Sequence, residues 1–124
     1  MKKEIKVQNA PAAIGPYSQG IMAGNTVYVS GQLPINPATG KVPEGIAAQT
    51  EQSLKNISAI LEGEGMTLDD VVKTTVLMAE MNDFSAMNEV YGRYFHAPYP
   101  SRSAVQVAKL PTDAPIEIEC IAVK

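Results

Sequence analysis

The segment PIEIECIAV, residues 115–123, restricts the fold of this chain more than any other. Successive side chains of a strand point to opposite faces. Ile116, Ile118 and Cys120 therefore share one face, and Glu117, Glu119, Ile121 and Val123 share the other. Both faces carry apolar residues, so both sides of the sheet that holds this strand need cover. Only two segments of the chain have a helical period. Two helices cover one side of a sheet and leave the other open. Oligomerisation through the open side is the natural solution.

The other elements follow from local pattern. KKEIKV, residues 2–7, is predicted as a short edge strand, where lysines suit an unpaired edge. NAPAAIGPYSQG reads as a loop, punctuated by two prolines and two glycines. Residues 20–34 read as a hairpin turning at Gly24-Asn25. A helix is predicted from Ile46 to Glu62, because Leu54, Ile57, Ile60 and Leu61 recur at helical steps and Gly-Glu-Gly stops it. The β-branched run DDVVKTTVLMA reads as a strand. Asn82 or Asp83 is expected to cap a second helix reaching His96, where APYP ends it. The last strands are predicted over Arg102–Leu110 and Ile116–Val123, joined by the turn PTDAP. The order βββαβαββ describes an α+β fold: a mixed six-stranded sheet with two helices on one face.

Bulk properties narrow the function. A chain of 124 residues fits one domain, 1–124, and buries roughly two thirds of its surface on folding. The net charge is −3 and no Lys/Arg cluster occurs, which argues against a nucleic-acid partner. No stretch approaches the ~20 apolar residues of a membrane span, and the N-terminus lacks the apolar run of a signal peptide. A cytoplasmic protein with no membrane partner is expected. The single cysteine, Cys120, excludes an internal disulfide and a Cys-rich zinc site, and reads as a buried, inert thiol. The one histidine, His96, sits at a predicted helix C-terminus, where its charge suits the dipole. No GxGxxG, Walker A or HExxH motif is present.

Five places carry possible chemistry. Alternation puts Arg102, Ala104 and Gln106 on one strand face, and the alanine leaves space beside the guanidinium. A guanidinium matches a carboxylate with two parallel hydrogen bonds. Arg102 is thus either a clamp for a small carboxylic acid or a structural or solvated strand end. Glu117 and Glu119 share one strand face: either one of them is a proton-transfer group acting on water, or both belong to a solvent-facing surface; shielding would make such a glutamate hold its proton more tightly. Asn88 falls inside the apolar stripe of Phe84, Met87, Tyr91, Tyr94 and Phe95. Its amide needs a partner, either core backbone or a ligand. Tyr17 lies among small, flexible residues, and Ser30 and Gly31 lie where a strand ends, a place that permits close approach of a ligand or another chain.

Taken together, NAPAAIGPYSQG, VSGQLPINPATG, VVKTTVLMAEMNDFSAMNEVYGRYF and PSRSAVQVAKLPTDAPIEIECIAV resemble the RidA (YjgF) family of small imine deaminases. The likeness spans essentially the whole chain. PSRSA, the downstream LP and IEIE at this spacing are its most specific part. The resemblance implies a chorismate-mutase-like α+β fold and a homotrimer with a barrel-like core and ligand clefts between subunits. It implies hydrolysis of 2-imino acids, or their enamine tautomers, to 2-keto acids and ammonia, with no cofactor and no metal. Carried over by position, Arg102 grips the substrate carboxylate, helped by the Ala104 amide, and Glu117 moves protons and positions water. Tyr17, Ser30, Gly31 and Asn88 complete the set. The chain departs from many members at Ala104, where they have cysteine; the implied chemistry uses no thiol. A non-catalytic carboxylate-binding trimer and a ribonuclease or translation inhibitor are the alternatives. One geometric conflict arises. A plain hairpin about PTDAP would separate Arg102 from Glu117 by on the order of 15 Å along the strands, too far for one small ligand. The resemblance implies that these two strands are not paired.

Overall fold

A computed structural model describes residues 1–124. Its elements are β1 (Lys2–Ile5), β2 (Gly20–Ala23), β3 (Thr26–Gln32), α1 (Ile46–Glu62), β4 (Val71–Met78), α2 (Phe84–Tyr94), β5 (Ser101–Gln106) and β6 (Ile116–Val123). They form an α+β chain with one mixed six-stranded sheet, ordered β1-β2-β3-β6-β4-β5. β5 runs parallel to β4, and every other pairing is antiparallel. The last strand is therefore central. It inserts between β3 and β4 and never touches β5, so the hairpin about PTDAP does not form.

The alternation of β6 sorts the sheet into two faces. Ile116, Ile118 and Ala122 are fully buried and Cys120 nearly so, while Glu117, Ile121 and Val123 are half-buried and Glu119 is exposed. α1 packs on β3 and β6 and against α2. Leu54, Ile57, Ile60 and Leu61 lose all exposure there. At roughly 1.5–3 kcal/mol per fully buried large apolar side chain, this stripe is what holds α1 down. No helix covers the opposite face. Tyr28 and Val105 remain about half exposed on it, beside Ile121 and Leu77.

Several expected boundaries shift, each for a traceable reason. β1 ends at Ile5 and not residue 7, because the Val7 N–H donates to the Gln19 side chain. Asn82 and Asp83 do not cap α2 with their side chains. They lie in a short 3₁₀ turn, where Glu80 accepts from the Asn82 N–H at 3.1 Å. α2 stops at Tyr94, two residues before His96, because Phe95 turns extended and buries its ring against Tyr91. β5 ends at Gln106 and not Leu110: β4 ends at Met78, and the Val107 N–H to Met78 carbonyl bond is the last link. The β2–β3 hairpin turns at Gly24-Asn25 as read, with Gly24 at φ +63°, a conformation that suits glycine. No helix is long and apolar enough to cross a membrane.

Gln19 is a keystone of the loop before β2. It is 3 % exposed. Its amide oxygen accepts from the Val7 N–H at 2.7 Å, and its NH₂ donates to the Val7 and Pro11 carbonyls at 3.1 and 2.8 Å. Pro11 and Pro16 have no N–H of their own, so this stretch is short of donors. Gln19→Leu keeps the bulk and strands those backbone groups. It should lower stability by about 1–3 kcal/mol, read as a reduced urea midpoint at unchanged slope.

Candidate active site

The expected site residues other than Ala104 fall into two clusters, one on each face of the sheet. The strand register shows why. Thr74 pairs with Arg102 on one side and Cys120 on the other, so Arg102 lies in a row that faces the helices. Leu77, three residues on, pairs with Val105 and Glu117, so that row faces away. One chain does not bring Arg102 and Glu117 together.

The first cluster surrounds Arg102. Its Nη1 donates to the Asn88 Oδ1 at 2.7 Å. Its guanidinium carbon lies 4.7 Å from the centre of the Tyr91 ring and 5.4 Å from that of Phe84. It is in no salt bridge. The side chain is exposed and lines a concavity of about 430 Å³ with Asn88, Tyr91, Tyr99 and Pro100. Asn88 is exposed and not a core amide bonded to backbone; its partner is the arginine. Ala104 lies half-buried against the core and lines neither concavity.

The second cluster surrounds Glu117. Tyr17, Ser30, Gly31 and Glu117 line a concavity of about 570 Å³, with Ile14, Leu33 and Ile35 as apolar walls. A β-bulge shapes its floor. Val29 pairs with Cys120 and Gln32 with Ile118, so Ser30 and Gly31 together oppose the single residue Glu119. The Ser30 hydroxyl donates to the Ser18 carbonyl at 2.5 Å, and the Ser30 N–H to the Gln19 carbonyl at 2.9 Å, tying the Tyr17 loop to the bulge. Gly31 is required by contact. A Cβ there would lie 2.7 Å from the Glu117 carboxyl carbon. Burial, and secondarily the negative charge of Glu119, raises the pKa of Glu117 above the ordinary carboxylate value. Burial likewise pushes the Cys120 thiol up to about 12, which keeps it unreactive. No group of three or more His, Cys, Asp or Glu comes together in a way that would hold a metal.

Sequence reasoning missed Gln19 and the aromatic bed beneath Arg102. The second had a signal: Phe84, Asn88 and Tyr91 recur at steps of four and three on α2. Nothing local showed that this stripe meets β5.

The family model described as Endoribonuclease L-PSP matches residues 7–124. Over 127 residues the chain is 52% identical to 2-iminobutanoate/2-iminopropanoate deaminase of Escherichia coli K12, covering 100% of this chain and 99% of that one. The solved structure of the YjgF gene product from E. coli has a TM-score of 0.95 at 52% identity, covering 98% of each chain. E. coli TdcF with bound serine has a TM-score of 0.95 at 47% identity, again covering 98% of each. The chain belongs to the RidA/YjgF (Endoribonuclease L-PSP) family.

Two expectations follow. Gly31→Ala must displace the Glu117 side chain, and should cut activity at least ~10-fold while far-UV circular dichroism stays unchanged. Glu117 binds its proton more tightly in the folded state than in the unfolded one. That contribution to stability is fully present below the ordinary carboxylate pKa and is lost as pH rises through the raised value. Glu117→Gln should therefore raise the urea midpoint at neutral pH and leave it nearly unchanged near pH ~4.

Proposed function

We propose that this chain is a 2-iminobutanoate/2-iminopropanoate deaminase, a hydrolase of reactive 2-imino acids and their enamine tautomers. Its cleft is completed where the Arg102 cluster of one subunit meets the Glu117 cluster of the next in a homotrimer. The observation that carries the reading is Arg102: held by an amide oxygen and two rings, it has no acid of its own. A substrate carboxylate supplies the missing charge through two parallel hydrogen bonds. The high identity to a curated deaminase along the full chain supports the reaction type. The trimer is supported by the partly apolar sheet face that no helix covers, and by the placement of the two clusters on opposite faces. Trimer formation through that face would also build the barrel-like core.

The chemistry needs positioning and proton transfer. An enamine is first protonated on carbon to give the protonated imine. Water then attacks the C=N carbon. A C–O bond forms, the water loses a proton, and nitrogen gains one. As the carbinolamine collapses, its hydroxyl loses a proton, the C=O bond forms and the C–N bond breaks, releasing ammonia and leaving the 2-keto acid. Glu117, with its raised pKa, is suited to take the proton from water and return it to nitrogen. Tyr17 and the backbone near Gly31 orient the imine. The Ala104 amide assists the carboxylate, and no step uses a thiol at that position. Ribonuclease action fits less well, because the net charge is −3 and no basic cluster is present to hold phosphates.

Arg102→Ala should abolish turnover with the fold intact. The measurement follows decay of 2-iminopropanoate, generated from serine by a dehydratase, with and without the protein. Wild-type turnover by a folded Arg102→Ala variant refutes the assignment. Tight binding of pyruvate with no acceleration of decay by the wild type would favour the non-catalytic carboxylate-binding alternative.

A further inference from the structure

The surface beneath Arg102 is built as a neutral platform. The Phe84 and Tyr91 rings both lie within the ~6 Å at which a ring face attracts a cation. Tyr91 is 5 % exposed and pinned from two sides. Its hydroxyl shares a buried 2.7 Å hydrogen bond with the Thr74 hydroxyl. Its ring packs on Phe95 with centroids 4.5 Å apart. Thr74 is also the β4 residue directly opposite Arg102 in the parallel register. The strand step that places the arginine thus anchors the ring under it.

We propose that Tyr91, with Phe84 beside it, is a positioning residue for the imine deamination: its ring, held chiefly by packing on Phe95 and further by the Thr74 hydroxyl, keeps the Arg102 guanidinium oriented for the substrate carboxylate without neutralising it. This rests on the deaminase reading above. Orienting a long, flexible side chain normally falls to a carboxylate, which would cancel the charge that substrate must meet. A ring face orients the guanidinium and leaves its charge available. Asn88 does the same from the side with an uncharged oxygen. Ordering the fork before substrate arrives removes part of the entropic cost of binding. The effect belongs to carboxylate affinity, not to the water-attack step on the other cluster.

The test compares wild type, Tyr91→Leu, Tyr91→Phe, Phe84→Leu and Arg102→Ala as full chains. KM and kcat are measured on 2-iminobutanoate generated in situ by a threonine dehydratase. Affinity for the product 2-oxobutanoate is measured by titration calorimetry. Tyr91→Leu should raise KM and the 2-oxobutanoate Kd roughly five- to thirty-fold, with kcat within about twofold of wild type. Tyr91→Phe keeps the ring and should restore most of the affinity. An unchanged KM and Kd in Tyr91→Leu, a loss confined to kcat, or a Phe variant as weak as Leu would each overturn the proposal. Should Tyr91→Leu fail to fold, Phe84→Leu at the less buried ring decides by the same KM and Kd criterion. Arg102→Ala separates the two levels. If it turns over like wild type, the deaminase site itself is misassigned. If it is inactive while Tyr91→Leu matches wild type, only the positioning role fails.

Discussion

Everything in this molecule hangs on the insertion of β6 between β3 and β4. Its two-sided antiparallel pairing joins β1–β3 to β4–β5 in one sheet, and its alternation decides what each face becomes. Ile116, Ile118, Cys120 and Ala122 commit one face to the helices. Glu117 and Glu119 are thereby carried to the other. A one-residue slip would bury two carboxylates under α1 and expose three large or medium apolar side chains, at a cost of several kcal/mol. The register is therefore strongly enforced, and the position of Glu117 comes with it.

The two clusters solve opposite electrostatic problems. Around Arg102 the chain supplies orientation without countercharge, using rings and an amide. Around Glu117 it withholds partners altogether. No cation lies beside that carboxyl, glycine leaves it room, and Glu119 repels its ionised form. Both groups are thus left without a countercharge within the chain. A charge held in place with no counterion of its own marks a site made for something external.

Much of the architecture was legible because it is written in short-range pattern. The bounds of α1 were read from Leu54, Ile57, Ile60 and Leu61 and from the glycines after Glu62; β6 was read from its alternation, and the β2–β3 turn from Gly24. The misplaced strand ends depend on distant partners. β1 stops where Gln19 captures the Val7 N–H, and β5 stops where β4 does. The β5–β6 connection is the plainest case. Local pattern suggests a hairpin about PTDAP; the resemblance, not the pattern, separated those strands. The candidate residues were found the same way. Arg102 and the pair Glu117 and Glu119 stand out as charges on otherwise apolar or small-residue strands; the resemblance chooses Glu117, and only register shows that it and Arg102 face opposite ways. Gln19, Thr74 and Tyr91 carry no local sign of their partners, since a buried amide, a strand threonine and a helix tyrosine are ordinary in isolation.

The division of the site between two faces has a genetic consequence on the trimer reading. A lesion in the arginine half leaves the glutamate half of the same chain intact, and the reverse holds. Two differently damaged chains, mixed in one assembly, then rebuild a sound cleft wherever their healthy halves adjoin. Defects in this protein would complement one another between alleles, a property foreign to an enzyme whose centre lies within a single fold.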